Sequence, residues 1–151
     1  VTDDPARAKA DALDIVREII RRAGHEIRNA LSGVAVNVEV VRSRAAREGS
    51  ATEIASFADR ASAQIGEATA LTNALLSLLG VVLDAETQGT LRSESGGSGG
   101  SRIELMIYGD RASVLVSDIK HLAGRIGVGV EQGARSVILT VSPEGKSHSK
   151  T

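Results

Sequence analysis

The sequence predicts a mainly α fold with a small α/β appendage. Three observations carry this: an amphipathic pattern of helical period from Asp4 to about Glu48, a second one beginning at Ser50, and two β-rich runs beyond a Gly/Ser-rich stretch. The 151 residues suffice for a helical module with a small addition and for little more.

The first helix is expected to start at Asp4, a carboxylate cap, with Pro5 at the position where a missing N–H costs nothing. Its apolar stripe follows a heptad. Leu13, Ile20, Ile27, Val34 and Val41 take a, Val16, Ala23 and Ala30 take d, and Leu31, Val38 and Ala45 take e. Gly49 is the expected stop, and Ser50-Ala51-Thr52-Glu53 reads as a capping box that opens the second helix. That helix places Ile54, Ala61, Ala68, Leu75 and Val82 at one heptad position, with Phe57, Leu71 and Leu78 at the next and Ala58, Ile65 and Leu79 beside them. Matching faces and a short connection predict a long antiparallel helical hairpin over 1–92. A lone hairpin leaves apolar surface in water, so a homodimer forming a four-helix bundle is expected, with docking of the C-terminal segment as the competing solution.

Ser93 to Ser101 has the composition of a flexible Gly/Ser linker and marks the expected boundary with a unit spanning 102–151. In that unit Ile103, Leu105 and Ile107 alternate with Glu104, Met106 and Tyr108. Ala112 to about Val128 has a helical pattern with Val114, Leu115, Ile119, Leu122 and Ile126 as its apolar residues. Val137 to Val141 is a second strand, and Gly127-Val128-Gly129 is read as the turn before it, lacking the Lys-Ser/Thr of a phosphate loop.

Composition removes several classes of function. Eighteen Lys and Arg against 19 Asp and Glu give no general attraction to nucleic acid, and one Phe, one Tyr and no Trp leave almost nothing to stack on bases. With no cysteine, thiol catalysis, disulfides and thiolate metal sites are excluded, and a cytoplasmic setting is compatible. No continuous apolar run approaches the ~20 residues of a membrane span, the longest being Leu75 to Leu83, so no membrane insertion is expected. No pair of histidines with a carboxylate has metal-ligand spacing.

The chemistry-bearing feature is His25-Glu26-Ile27-Arg28-Asn29 in the middle of the first helix. In the heptad frame His25 falls at f, away from the seam, where another protein reaches it. The stretch Gly24-His25-Glu26-Ile27-Arg28-Asn29-Ala30-Leu31-Ser32-Gly33 resembles the H-box of the dimerisation and histidine phosphotransfer domains of two-component sensor kinases. The resemblance implies that His25 takes a phosphoryl group, that Glu26 orients or deprotonates the imidazole, and that Asn29 helps place a water or the partner. The chemistry is consistent with the residue type, since imidazole is a competent nucleophile at neutral pH. Arg21, Arg22, Arg28 and Ser32 lie around His25 and are expected to face the partner, a response-regulator receiver domain; the plainer reading of the arginines is a solvated helix face.

In that family an ATP-binding domain follows. Tyr108-Gly109-Asp110 and the helix after it look like that domain's strand and first helix, but the asparagine positions read Lys120-His121-Leu122-Ala123-Gly124-Arg125, and the glycine boxes are missing. The 102–151 unit therefore resembles a truncated, degenerate kinase-ATPase segment of strand, helix and strand. As a whole the chain is similar to the dimeric bacterial histidine phosphotransferases, which carry phosphoryl groups between receiver aspartates without ATP and without a cofactor of their own, Mg²⁺ being held by the receiver. Two alternatives stand beside this: a fragment or inactive member of a sensor kinase, and a non-catalytic helical dimerisation scaffold. His121 is read as a packing or surface residue, and His148 as part of a disordered tail.

Overall fold

The computed structural model describes residues 4–95, 100–107 and 111–142. Two long helices, α1 (Pro5–Ala46) and α2 (Ala51–Thr87), pack antiparallel. Strands β1 (Arg92–Ser95) and β2 (Ser101–Met106), helix α3 (Arg111–Ile126) and strands β3 (Val128–Gln132) and β4 (Ser136–Val141) follow. Tyr108-Gly109-Asp110 and the tail containing His148 lie outside the described residues.

Local chemistry accounts for the helix ends. Asp4 Oδ1 accepts from the Ala6 N–H at 3.1 Å, and Ser50 Oγ accepts from the Glu53 N–H at 3.2 Å. Only this half of the capping box forms, because the Glu53 carboxylate turns instead to Arg44, 3.5 Å away on α1. The stop between the helices also differs in detail from expectation. Glu48 takes the left-handed conformation (φ 56°), while Gly49 presses its backbone against Arg44, donating to that carbonyl at 2.9 Å. A Cβ at Gly49 would stand 3.0 Å from the same oxygen, which is the physical need for glycine there.

Among the described residues the C-terminal region holds four strands rather than two. All pair antiparallel in the order β1-β2-β4-β3. Residues 93–95, expected in a linker, pair with β2, with Ser93 opposite Ile103. Gly127, in the left-handed region at φ 67°, turns the end of α3 directly into β3, whose Gly129 lies opposite Thr140; the expected turn is a turn plus an edge strand. Both unforeseen strands are polar or glycine-bearing edges, and pairing rather than intrinsic preference makes them strands. Ile103, Leu105 and Ile107 point inward with Val137, Leu139 and Val141, while Glu104 is only half-buried and Met106 is exposed. On α3, Leu115, Ile119, Leu122 and Ile126 are buried, but Val114 is 60% exposed and does not belong to the inner face.

One continuous core joins the hairpin to the sheet. It runs from Ala12, Ile15 and Ile19 of α1 through Leu71, Leu78 and Val82 of α2 to the inner sides of α3 and the sheet. The C-terminal segment thus docks on the hairpin, the solution that competed with dimerisation. This shifts the buried arc of α1. Ile15 and Ile19, outside the a/d/e stripe, are buried, whereas Ile20 at a is 39% exposed. The a/d/e assignment is corrected accordingly for the first half of α1, where a second layer packs on one flank of the seam.

By length and composition α2 is apolar enough to cross a membrane, with mean hydropathy 1.6 over its most apolar 18 residues. That differs from the judgement based on unbroken apolar runs alone. Core packing accounts for one face of that apolarity, through Leu71, Ala74, Leu78 and Val82, and the other face shows Leu76 and Leu83 outward.

Candidate functional site

His25 sits near the middle of α1, where the docked α/β unit ends. Residues three apart on a helix differ by about 60° around its axis, so His25 stands beside Arg22, at the rim of the docked surface rather than on an open flank. Its imidazole is exposed and has no hydrogen-bond partner among the described residues. It lines a cleft of about 260 Å³ together with Arg21, Arg22, Glu26, Arg125 and Ile126. The cleft lies at the meeting of α1 and the end of α3. Helical periodicity could place the four α1 residues Arg21, Arg22, His25 and Glu26 together; only tertiary packing brings the last turn of α3 to them.

The arginines differ in what they do. Arg22 is a bracket between the two parts of the molecule: its Nη1 donates to the Ile126 carbonyl at 3.1 Å, its Nη2 to the Ser142 carbonyl at 2.9 Å, and its Nε to Glu18 at 2.7 Å. It thereby satisfies a carbonyl left open at the end of α3. Arg21 holds Glu18 through two contacts of 2.8 and 2.9 Å. Arg28 and Asn29 are exposed on α1, without side-chain hydrogen bonds among the described residues. Ser32 donates its hydroxyl to the Arg28 carbonyl at 2.9 Å.

Glu26, the residue expected to serve the imidazole, is turned toward α3. Its Oε2 accepts from Arg125 Nη2 at 3.1 Å and Nε at 3.2 Å. Arg125 Nε also lies 4.0 Å from Glu67 of α2, and Glu67 holds His121 Nε2 at 2.7 and 2.9 Å. The result is a run of polar contacts from Glu26 through Arg125 and Glu67 to His121 that ties three helices together. His121 is a surface residue with a defined partner. Arg125 was legible only as a base in the last turn of α3, one turn beyond His121; which helix it would face was not.

Hydrogen bonds from Arg21 and then Arg22, aided by their charge, hold the Glu18 carboxyl at about 2, below its ordinary 4.5. A carboxyl depressed by folding adds stability above its unfolded value, and that stability is lost as pH falls through the folded one. The stability gap between wild type and Glu18→Gln should therefore be constant above about pH 4.5 and close between pH 4.5 and about 2. Thermal melts of both proteins across that range test this, and a gap independent of pH would remove Glu18 from the bracket.

Among the described residues no group of three or more His, Asp or Glu side chains is arranged to hold a metal ion. Lys120 is exposed and Leu122 and Ala123 are buried in the core, so this stretch of α3 presents its apolar side chains to the shared core. Comparison with protein-family models, with curated proteins and with solved structures finds no match to this chain.

Proposed function

We propose that this chain is a histidine phosphotransferase of a two-component phosphorelay, carrying a phosphoryl group on His25 between receiver-domain aspartates. One observation carries the reading: an exposed imidazole, without a hydrogen-bond partner among the described residues, within His-Glu-Ile-Arg-Asn on the lip of a cleft lined by arginines. In the transfer, an unprotonated ring nitrogen of His25 attacks phosphorus, and the aspartyl O–P bond breaks with its electron pair returning to the carboxylate. The remaining ring proton is then free to leave, and the arginines offset the charge on the transferring group. The receiver supplies Mg²⁺ and the acidic surface that the basic rim attracts.

The same reading takes the protein as a cytoplasmic homodimer, with the α/β unit as a degenerate kinase-ATPase relic. Support for the dimer comes from Leu31, Val38 and Ile65, each at least half exposed. They belong to a level of the hairpin beyond the docked unit, where Asn37 bonds Gln64 at 2.7 Å. Apolar side chains there have no cover among the described residues, and a second copy would bury them.

The test is incubation of the full chain with labelled phosphorylated receiver and, separately, with labelled ATP. Acid-labile label from the receiver and none from ATP is expected. Label acquired from ATP alone favours the kinase alternative, and no label from any cognate receiver favours the scaffold.

A further inference from the structure

We infer that Arg125, contributed by α3, is the side chain that grips the phosphoryl group on His25, and that Glu26 holds it in reserve while the site is empty. The inference rests on the phosphotransfer reading of His25 and gives the α/β unit a part in it. Of the three arginines lining the cleft, Arg22 has donors on Glu18 and on two backbone carbonyls, and Arg21 is clamped on Glu18. Moving Arg22 would undo the attachment of the end of α3. Arg125 is differently held: its hydrogen bonds, at 3.1 and 3.2 Å, both go to a single oxygen of Glu26, with Glu67 no nearer than 4.0 Å, whereas Arg21 meets both oxygens of Glu18 at 2.8 and 2.9 Å. Exposed ion pairs hold weakly, whereas a planar guanidinium meeting a phosphoryl group gains two parallel charge-assisted bonds.

The exchange is therefore downhill once a dianionic group arrives at His25. Arg125 leaves the Glu26 carboxylate for the phosphoryl oxygens, and Glu26 is released on the same helix turn as the imidazole. Transfer and grip are thus coupled through one side chain from a different part of the chain. No new covalent step is required.

Phosphoramidate is a suitable probe, because it needs no receiver. Its P–N bond breaks, nitrogen departs as ammonia, and a new N–P bond forms to the ring. Wild type, Arg125→Ala and Arg125→Lys are compared for rate of His25 phosphorylation, for the ³¹P shift of the phosphohistidine and for its hydrolysis rate. Arg125→Ala is expected to slow uptake by about 10–100-fold and move the ³¹P signal, with Lys in between because it keeps charge but not the fork. In wild type, the Arg125 Nε–H resonance should move on phosphorylation, while that of Arg42, paired with Glu39 elsewhere, should not. This last readout stands even where a variant folds poorly. Unchanged rates and an unmoved Arg125 resonance on a phosphorylated wild type overturn the role of Arg125 alone. Failure of wild type to take phosphoryl groups from both phosphoramidate and receivers overturns the His25 reading with it.

Discussion

Replacing His25 with Gln should reduce phosphoryl uptake from a phosphorylated receiver to background while leaving the fold intact. Glutamine keeps a polar side chain of similar reach, but its amide nitrogen has no lone pair available for attack on phosphorus. The fold has little at stake in the exchange. His25 is exposed and makes no hydrogen bond among the described residues, so the stability change should lie within about 0.5 kcal/mol. Thermal melts and a labelled-transfer assay on the same preparation measure both quantities. A variant that still accepts label would take His25 out of the mechanism, whatever the rest of the cleft does.

The largest effect on stability is expected at Leu71. This side chain is fully buried in α2 within the core shared by the hairpin, α3 and the sheet. Leu71→Ala removes packed methyl groups and leaves a cavity that the surrounding elements cannot close without shifting as a body, a loss of about 2–5 kcal/mol. For a chain of this size that lowers the melting temperature by roughly 5–15 °C. Because one core spans both parts, calorimetry of wild type should show a single transition with matching calorimetric and van't Hoff enthalpies. Two separated transitions, or a Leu71→Ala loss below about 1 kcal/mol, would mean that the hairpin and the α/β unit do not depend on each other.

Features legible in advance were those made within a few residues. Asp4 and Ser50 cap their helices through bonds spanning two and three residues, and the helical period that placed His25 outward repeats over the same range. The inward alternation of Ile103, Leu105 and Ile107 is likewise local. The strands β1 and β3 were not legible, since Ser93 and Gly129 extend only because Ile103 and Thr140 lie opposite them. For the candidate site the division is sharper. The motif was visible, but Arg22 joins carbonyls 104 and 120 residues away, and Arg125 reaches Glu26 across 99. No periodicity encodes such pairings.

Sequence by itself determined two long capped helices, a small sheet-bearing appendage, and a histidine on the outer side of the first helix. Tertiary structure decided that the appendage docks on the hairpin and that the buried arc of α1 turns toward it. It also decided that the cleft beside His25 is closed on one side by the end of α3. The physical reason is one of range. Backbone hydrogen bonding and side-chain periodicity act over single turns, whereas the choice of which apolar faces and which charges meet belongs to the folded chain as a whole.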